Sequence, residues 1–379
     1  MSRKKNIILL SLDDAAVTIG SQFREIALGL LITGMYSSPS GYAWYFLVMS
    51  IPGLLLARTY AWASHHFNAK KVMMASYGFR LLLVLGLWRV NHFWVALILL
   101  AGMAVGRGFY SVSQAQYVAV HNDFAATRNM VVRLRQSESV MLLIGPLLAG
   151  WILAWTGYRN GFLLSAGAYI FSLTVLSQLD LVVRIESRNL SERILWRPDG
   201  PALAILGLSF LTWQANTLSV SYIFLVLHRH ALGFGMMLGV WGGSGLVAGL
   251  ILSRIRKRPL GWIAPMFGVL SVSWLVLSRG VAFPGFVVLG GIEGFANWMV
   301  RDLIAAFVFA KAPPGDGGLA QARLGVYDEI GSIAGILTVL LIPAGWLILP
   351  MYAVIGFLGA LMAGTMAIIR HRRQPHILE

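Results

Sequence analysis

Residues 133–150 read RLRQSESVMLLIGPLLAG. Three charges, Arg133, Arg135 and Glu138, lead into an apolar run of helix length that carries Gly145, Pro146 and Gly150 where a helix in water would break. Proline and glycine persist inside apolar helices chiefly in a bilayer, where neighbouring helices and trapped waters satisfy the backbone groups they free. The chain repeats the pattern. From Arg323 it reads RLGVYDEIGSIAGIL, with Arg-Leu again followed five places on by an acid, Asp328 where the first copy has Glu138. One such match is weak; two at corresponding places suggest two related halves.

Composition agrees. Apolar residues fill 58% of 379 positions, charged ones only 12%, and the mean hydropathy is +0.73, whereas a soluble domain is roughly one-quarter charged. The expected fold class is therefore an all-α membrane protein. The absence of cysteine excludes disulfides, haem attachment and thiolate metal sites, and leaves the redox compartment open. The N-terminal MSRKKNIILL has the first charges of a signal peptide, but Asp13 and Asp14 interrupt the apolar run, so the segment is expected to be retained.

Turn signals and charges divide the chain into twelve spans: 7–36, 42–62, 72–88, 93–118, 134–155, 159–179, 201–227, 232–253, 261–278, 282–310, 324–348 and 350–369. Most reach the ~20 residues needed to cross a bilayer. A net charge of +15 would suit nucleic acid, but the placement of the charges points elsewhere. On this map only Arg89, Arg159, Arg229 and Arg279 lie on the side opposite the N-terminus, and Arg24, Arg58, Arg80, Arg107 and Arg301 lie within spans. The remaining basic residues gather on the N-terminal side, as the positive-inside rule requires of a cytoplasmic face. Both termini are expected in the cytoplasm, with a lipid bilayer rather than nucleic acid as partner.

The one long polar connector, Leu179 to Pro201, carries Arg184, Arg188, Arg193 and Arg197 and suits a partly helical linker on an anionic leaflet. Six spans precede it and six follow. The expected organisation is an N-terminal six-helix bundle over 1–179, a cytoplasmic linker over 180–200 and a C-terminal six-helix bundle over 201–379, the layout of a two-bundle transporter with inverted three-helix repeats.

Ionisable residues inside spans are costly and often mark a pathway. The first span holds Asp13, Asp14, Arg24 and Glu25; eleven residues is close to three helical turns, so Asp13 lies nearly above Arg24, roughly 16 Å along the axis. Two readings stand for Arg24: neutralised by Glu25 or a neighbouring helix as a structural tie, or part of a pathway. In the fourth span Arg107 sits among Gly102, Gly106 and Gly108 and needs an acid or an aqueous cavity. Trp213 and Asn216 of the seventh span either line a cavity or tie helices together. In the tenth span Glu293, Asn297 and Arg301 fall at i, i+4 and i+8 and share one face.

Aligning Arg107-Gly108-Phe109 with Glu293-Gly294-Phe295 puts an arginine and a glutamate at equivalent points of the two halves. Either they form an ion pair that substrate or proton breaks, or Glu293 pairs with Arg301 directly or through Asn297. The eleventh span carries Asp328 and Glu329, with Pro343 and Gly345 available for a bend. Glu138 and Asp328 serve coupling, or pair with Arg135 and Arg323 as gate struts. A carboxyl group in a partly desolvated cavity exchanges protons near neutrality, which a proton-coupled step requires.

Three stretches carry a resemblance to the major facilitator superfamily: GSQFREIALGLL in the first span, the region around AWASHHFNAKKVMMAS, and residues 122–150. The family's loop between helices two and three has a Gly-x-x-x-Asp-Arg-x-Gly-Arg-Arg-type pattern. Phe67, Lys70, Lys71 and Val72 fit it, while His65 and His66 stand where its Asp and Arg would be and Asn68 at the Gly. The loss of that acid puts the usual gate chemistry in doubt; His65 and His66 are either pH-sensing or a solvated pair.

The stretch before GPLLAG resembles the enterobactin-exporter-like branch, and GPLLAG matches the antiporter-associated Gly-Pro-x-x-x-Gly pattern. The resemblance implies a monomeric, twelve-helix transporter working by alternating access, exporting a siderophore-like or drug-like small molecule with protons as coupling ion. Import of a siderophore, lysophospholipid flipping, and a non-transporting assembly factor or sensor are the alternatives. No nucleotide loop, zinc signature or nucleophile elbow is present, so no cofactor, metal or enzymatic activity is expected.

Overall fold

The computed structural model describes residues 2–36, 38–119, 124–180, 199–252, 254, 259–311, 317–341 and 348–373. Among them the chain forms thirteen α-helices: α1 Ser2–Met35, α2 Pro39–Leu55, α3 Ala57–His66, α4 Ala69–Arg89, α5 Phe93–Ala119, α6 Phe124–Thr156, α7 Asn160–Ser177, α8 Gly200–Ser221, α9 Ala231–Leu252, α10 Ile263–Leu277, α11 Phe283–Lys311, α12 Gly317–Leu340 and α13 Ile348–Arg373. Eight helical segments are long and apolar enough to cross a membrane by length and composition, and two shorter apolar helices accompany them. Their outer faces carry large bare side chains, such as Trp155 at 81% exposure, Ile98 at 71% and Phe357 at 62%. That pattern suits a lipid-facing exterior.

Where helix ends differ from the expected spans, the reason is local chemistry. Hydropathy marks the bilayer, whereas a helix continues into polar surroundings wherever its residues favour it. Thus α6 starts at Phe124 rather than 134, and α12 at Gly317 rather than 324. The expected span 42–62 is two helices. Pro52 lies inside α2 with no N–H to donate, and the chain breaks at Leu56 before resuming as α3. The basic loop expected over 65–71 shrinks to Phe67 and Asn68 between α3 and α4, because the Asn68 side chain accepts from Lys71 N at 3.4 Å as the N-cap of α4. Asp199 caps α8 the same way, accepting from Ala202 N at 2.9 Å with Pro201 in the first turn. The linker 181–198 and the expected bend at Pro343 and Gly345 lie outside the described residues.

Two compact units are formed. The first comprises Met1–Asn189 and Arg229–Gly239, the second Leu190–His228 and Val240–Glu379. In the first, α1 packs on α6 and α7, α4 on α5 and α7, and α5 on α2 and α3. α6 runs unbroken through Pro146, and the Pro146 carbonyl lies where a side chain at Gly235 would begin. Gly145-Pro146 is thus a place of close helix approach.

In the second unit α8 packs along α12, and α10 along α13 and α11. The α8–α12 contact has a small-xxx-small basis. Gly331 and Gly335, one turn apart on α12, face the carbonyls of Leu206 and Phe210, one turn apart on α8. A Cβ at either glycine would sit 2.3 Å from the facing carbonyl oxygen, which only backbone separation relieves.

Gly335→Leu is therefore expected to destabilise the protein by about 3 kcal/mol, the upper end of ordinary overpacking. Gly249→Ala, inside α9 at a site with nothing within 4 Å, does not lower the melting temperature and raises it slightly. Thermal unfolding of both variants in the same detergent checks the contrast.

Candidate functional site

Each unit has its own buried polar centre. In the first, Asp13 of α1 has no exposed surface. Its Oδ2 accepts hydrogen bonds from Tyr110 Oη of α5 at 2.6 Å and Tyr77 Oη of α4 at 3.3 Å, while its Oδ1 has no partner. The two tyrosine rings stack at 4.5 Å. Arg24, 4% exposed, donates from Nη1 to Tyr169 Oη of α7 at 2.9 Å and reaches Glu25 Oε1 at 3.7 Å. Arg80 of α4, also 4% exposed, lies over the Tyr169 ring at 4.7 Å and the Tyr77 ring at 5.8 Å. Aromatic faces therefore cover one buried guanidinium and a phenol hydroxyl binds the other, a desolvated arrangement worth on the order of 2 kcal/mol per cation–π contact.

The polar stripe expected on the first helix is thus real, and it resolves into two sets of partners. Asp14 and Glu25 are half-buried beside it, and Arg107 is exposed. Sequence reasoning missed Tyr77, Tyr110, Tyr169 and Arg80 as partners. They come from three helices far apart in the chain, and no local spacing signals them.

In the second unit, Arg301 of α11 grips Asp328 of α12 as a fork, with Nη1 to Oδ2 at 3.0 Å and Nη2 to Oδ1 at 2.9 Å. Arg301 Nη2 also donates to Ser209 Oγ of α8 at 3.1 Å, Ser209 donates to Asp328 Oδ1, and Arg301 Nε donates to Asn297 Oδ1 at 3.3 Å. This corrects two expected pairings. Glu293 does not pair with Arg301, because eight residues along one helix separate them by about 12 Å of rise. Arg323 does not pair with Asp328, five residues on and about 140° around the helix; it binds Asp199 Oδ2, the α8 cap, at 2.6 Å.

Glu293 is 9% exposed, and its Oε1 is enclosed without a hydrogen-bond partner. It lines a narrow cleft with Thr212, Asn216, Trp241, Trp274 and Asn297, whose free space of about 10 Å³ is room for about one water. Trp274 Nε1 is likewise buried and unpartnered. Trp213 and Glu329 are half-buried and engaged with neighbours. Among the described residues, ion pairs join Arg24 to Glu25, Arg301 to Asp328 and Arg323 to Asp199. Asp13 and Glu293 belong to none of these.

The expected gate residues have modest roles. Lys70 Nζ donates to the carbonyls of Ser177 and Leu179 at 2.7 and 2.6 Å, closing the C-terminal end of α7. Lys71 is exposed, and Gly150 packs its backbone against Ala231 O. The side chains of His65, Arg133, Arg135 and Glu138 lie outside the described residues. No group of His, Asp or Glu able to hold a metal is found among the described residues.

A sequence model described as Major Facilitator Superfamily matches residues 15–336. Solved structures of similar fold include a bacterial homologue of the iron transporter ferroportin in its inward-facing state, 13% identical, with a TM-score of 0.72 over 97% of this chain and 99% of that one. A human organic anion transporter is 14% identical with a TM-score of 0.66 over 96% and 100%. The POT family transporter PepTSo is 9% identical with a TM-score of 0.78 over 98% of each. No curated protein matches the sequence. At these identities the likeness extends to the fold.

With side-chain exposures of 23% and 32%, the Arg301–Asp328 fork falls between surface pairs, worth up to ~1 kcal/mol, and fully buried ones, whose breaking costs about 3–5 kcal/mol. Asp328→Asn is expected to cost about 2 kcal/mol of stability. The double variant Arg301→Met with Asp328→Leu costs less than the two single changes together, and a double-mutant cycle by thermal unfolding measures the difference.

Proposed function

The chain belongs to the Major Facilitator Superfamily, and from that premise we propose that it exports a small organic molecule, siderophore-like or drug-like, in exchange for protons. That it is a multi-pass membrane transporter of some small-molecule substrate follows from its family and fold. The finer reading adds two six-helix halves alternating about a central path in a monomer. It places the chain in a bacterial inner membrane, with both termini in the cytoplasm on the side where the basic residues gather.

One observation carries the coupling proposal. Each unit holds a buried carboxyl group outside the described ion pairs, within a helical segment apolar enough to cross a membrane. These are Asp13 in Ile8–Met35 and Glu293 in Phe283–Ala305. A carboxylate already clamped by a guanidinium, as Asp328 is, has its charge answered by a fixed neighbour. Asp13 is held by tyrosine hydroxyls, which donate to the ion and can turn away when a proton arrives. Glu293 lines a cleft with room for about one water, which can bring a proton to its carboxyl group. Buried acids of this kind form the proton relays of pumps and transporters. In this reading Asp13 and Glu293 carry the coupling, and Arg24, Arg301 and Asp328 hold the helices that present them.

The test uses everted membrane vesicles energised by respiration, with ethidium as a drug-like probe and radiolabelled 2,3-dihydroxybenzoate as a siderophore-like one. Accumulation of either probe, abolished by a protonophore, is expected. Asp13→Asn and Glu293→Gln lower the initial rate at least about tenfold, equivalent to ~1.4 kcal/mol of barrier. Unchanged rates in both variants would remove the coupling proposal, and uptake confined to right-side-out vesicles would reverse the direction.

A further inference from the structure

We infer that α9 carries a hinge at Gly242-Gly243, so that the part of the helix before it stays with the first unit while the part after it moves with the second. The inference rests on the transporter reading for its purpose, because two halves that alternate need a joint that yields.

α9 is continuous from Ala231 to Leu252, yet the boundary between the two compact units falls inside it, between Gly239 and Val240. Each part is gripped by a different helix. In the first unit, a Cβ added to Gly150 of α6 would lie 2.8 Å from the Ala231 carbonyl and 3.2 Å from the Gly235 Cα, and one added to Gly239 would lie 3.1 Å from the Leu143 carbonyl. In the second unit, a Cβ added to Gly294 of α11 would lie 2.8 Å from the Trp241 carbonyl and one added to Gly291 the same distance from Val240 Cγ1, while the Trp241 and Trp298 rings meet at 5.4 Å. Helices packed backbone to backbone through small residues have no slack in which to slide. When the units rearrange, a straight α9 would therefore have to break one grip or the other.

The stretch where the two grips meet is the weakest part of the helix. Residues 239–245 read GVWGGSG, and glycine is the poorest residue for a helix interior after proline. Kinks gather at glycine and serine pairs, as at Gly243-Ser244. Ser244 Oγ donates to the Trp241 carbonyl at 2.6 Å, a side-chain bond that competes with the backbone ladder of the same turn. A hinge absorbs a large dihedral change in a few residues while the packed elements on each side keep their contacts. Gly242-Gly243 lies just past the boundary and meets both conditions.

The chain has no cysteine, so pairs of introduced cysteines carry spin labels without background, and Ile98, Leu232, Leu250 and Phe357 are exposed sites for them. Distances are measured on the full-length protein in nanodiscs, in acidic and in alkaline buffer, with and without ethidium. The pair Ile98→Cys with Phe357→Cys, one site in each unit, is expected to change its distance between conditions. Ile98→Cys with Leu232→Cys, both in the first unit, and Leu250→Cys with Phe357→Cys, both in the second, each keep a single distance. A rod that followed only one unit would give two distances in one of these pairs. Gly242→Ala with Gly243→Ala suppresses the change between units and lowers the initial rate of ethidium flux at least about tenfold, while the melting temperature does not fall, because alanine favours a helix over glycine. Two distances in either pair within a unit, an unchanging distance between units, or full flux through the alanine variant would each overturn the inference. The distances in the parent protein decide the case even where the alanine variant is destabilised. The two proposals fail separately. Unchanged flux in Asp13→Asn and Glu293→Gln removes the coupling and leaves the hinge; a second distance between Ile98→Cys and Leu232→Cys removes the hinge and leaves the coupling.

Discussion

Charge inside an apolar bundle must be answered, and most of the ionised groups described within this chain's helices show how. Water is scarce among helices whose outer faces are bare leucine, tryptophan and phenylalanine, so an ionised side chain there needs a partner of opposite charge, several hydrogen bonds or an aromatic face. The second unit uses the first means at Arg301 and Asp328, where a fork of two short contacts is extended through Ser209 to a third helix. The first unit uses the others. Tyr77 and Tyr110 donate to Asp13, Tyr169 accepts from Arg24, and the rings of Tyr77 and Tyr169 flank Arg80. Four helices are joined this way through tyrosine side chains.

Against that background Glu293 is the exception. Its neighbours supply indole rings and amide side chains instead of a guanidinium, and the space beside it admits about one water. Polar groups whose purpose is architectural are satisfied by their own protein. Here the protein supplies only part of what the carboxyl group needs. That difference separates a tie between helices from a place prepared for something that arrives.

Much of the architecture was legible in the chain itself. Apolar runs, glycine and proline inside them, and the one-sided placement of lysine and arginine point to a polytopic helical protein, and the spacing of Asp13 and Arg24 puts both on an inward stripe. The shared face of Glu293, Asn297 and Arg301 is also explicit in the sequence. Their partners are not, because Tyr110, Tyr169, Ser209 and Asp328 reach them across 27 to 145 positions. Arg301 was legible as a cation within an apolar span, yet which acid it takes depends on the relative placement of α11 and α12. Gly331 and Gly335 did carry a local signal, a small residue repeated at one-turn spacing in an apolar run. Trp241 and Trp274 carried none, since tryptophan is ordinary in an apolar helix until a cavity opens beside it.

The approach of α12 to α8 also bears on motion. With carbonyl oxygens of one helix set against the bare α-carbons of the other at two successive turns, there is no layer of side chains to act as a lubricant, and weak Cα–H to oxygen contacts hold the register. Sliding by a fraction of a turn would drive Leu206 or Phe210 into the bulkier residues flanking each glycine. The two helices therefore travel as one stiff strut with Ser209 and Asp328 fixed upon it, and any rearrangement of the second unit must find its freedom at joints elsewhere.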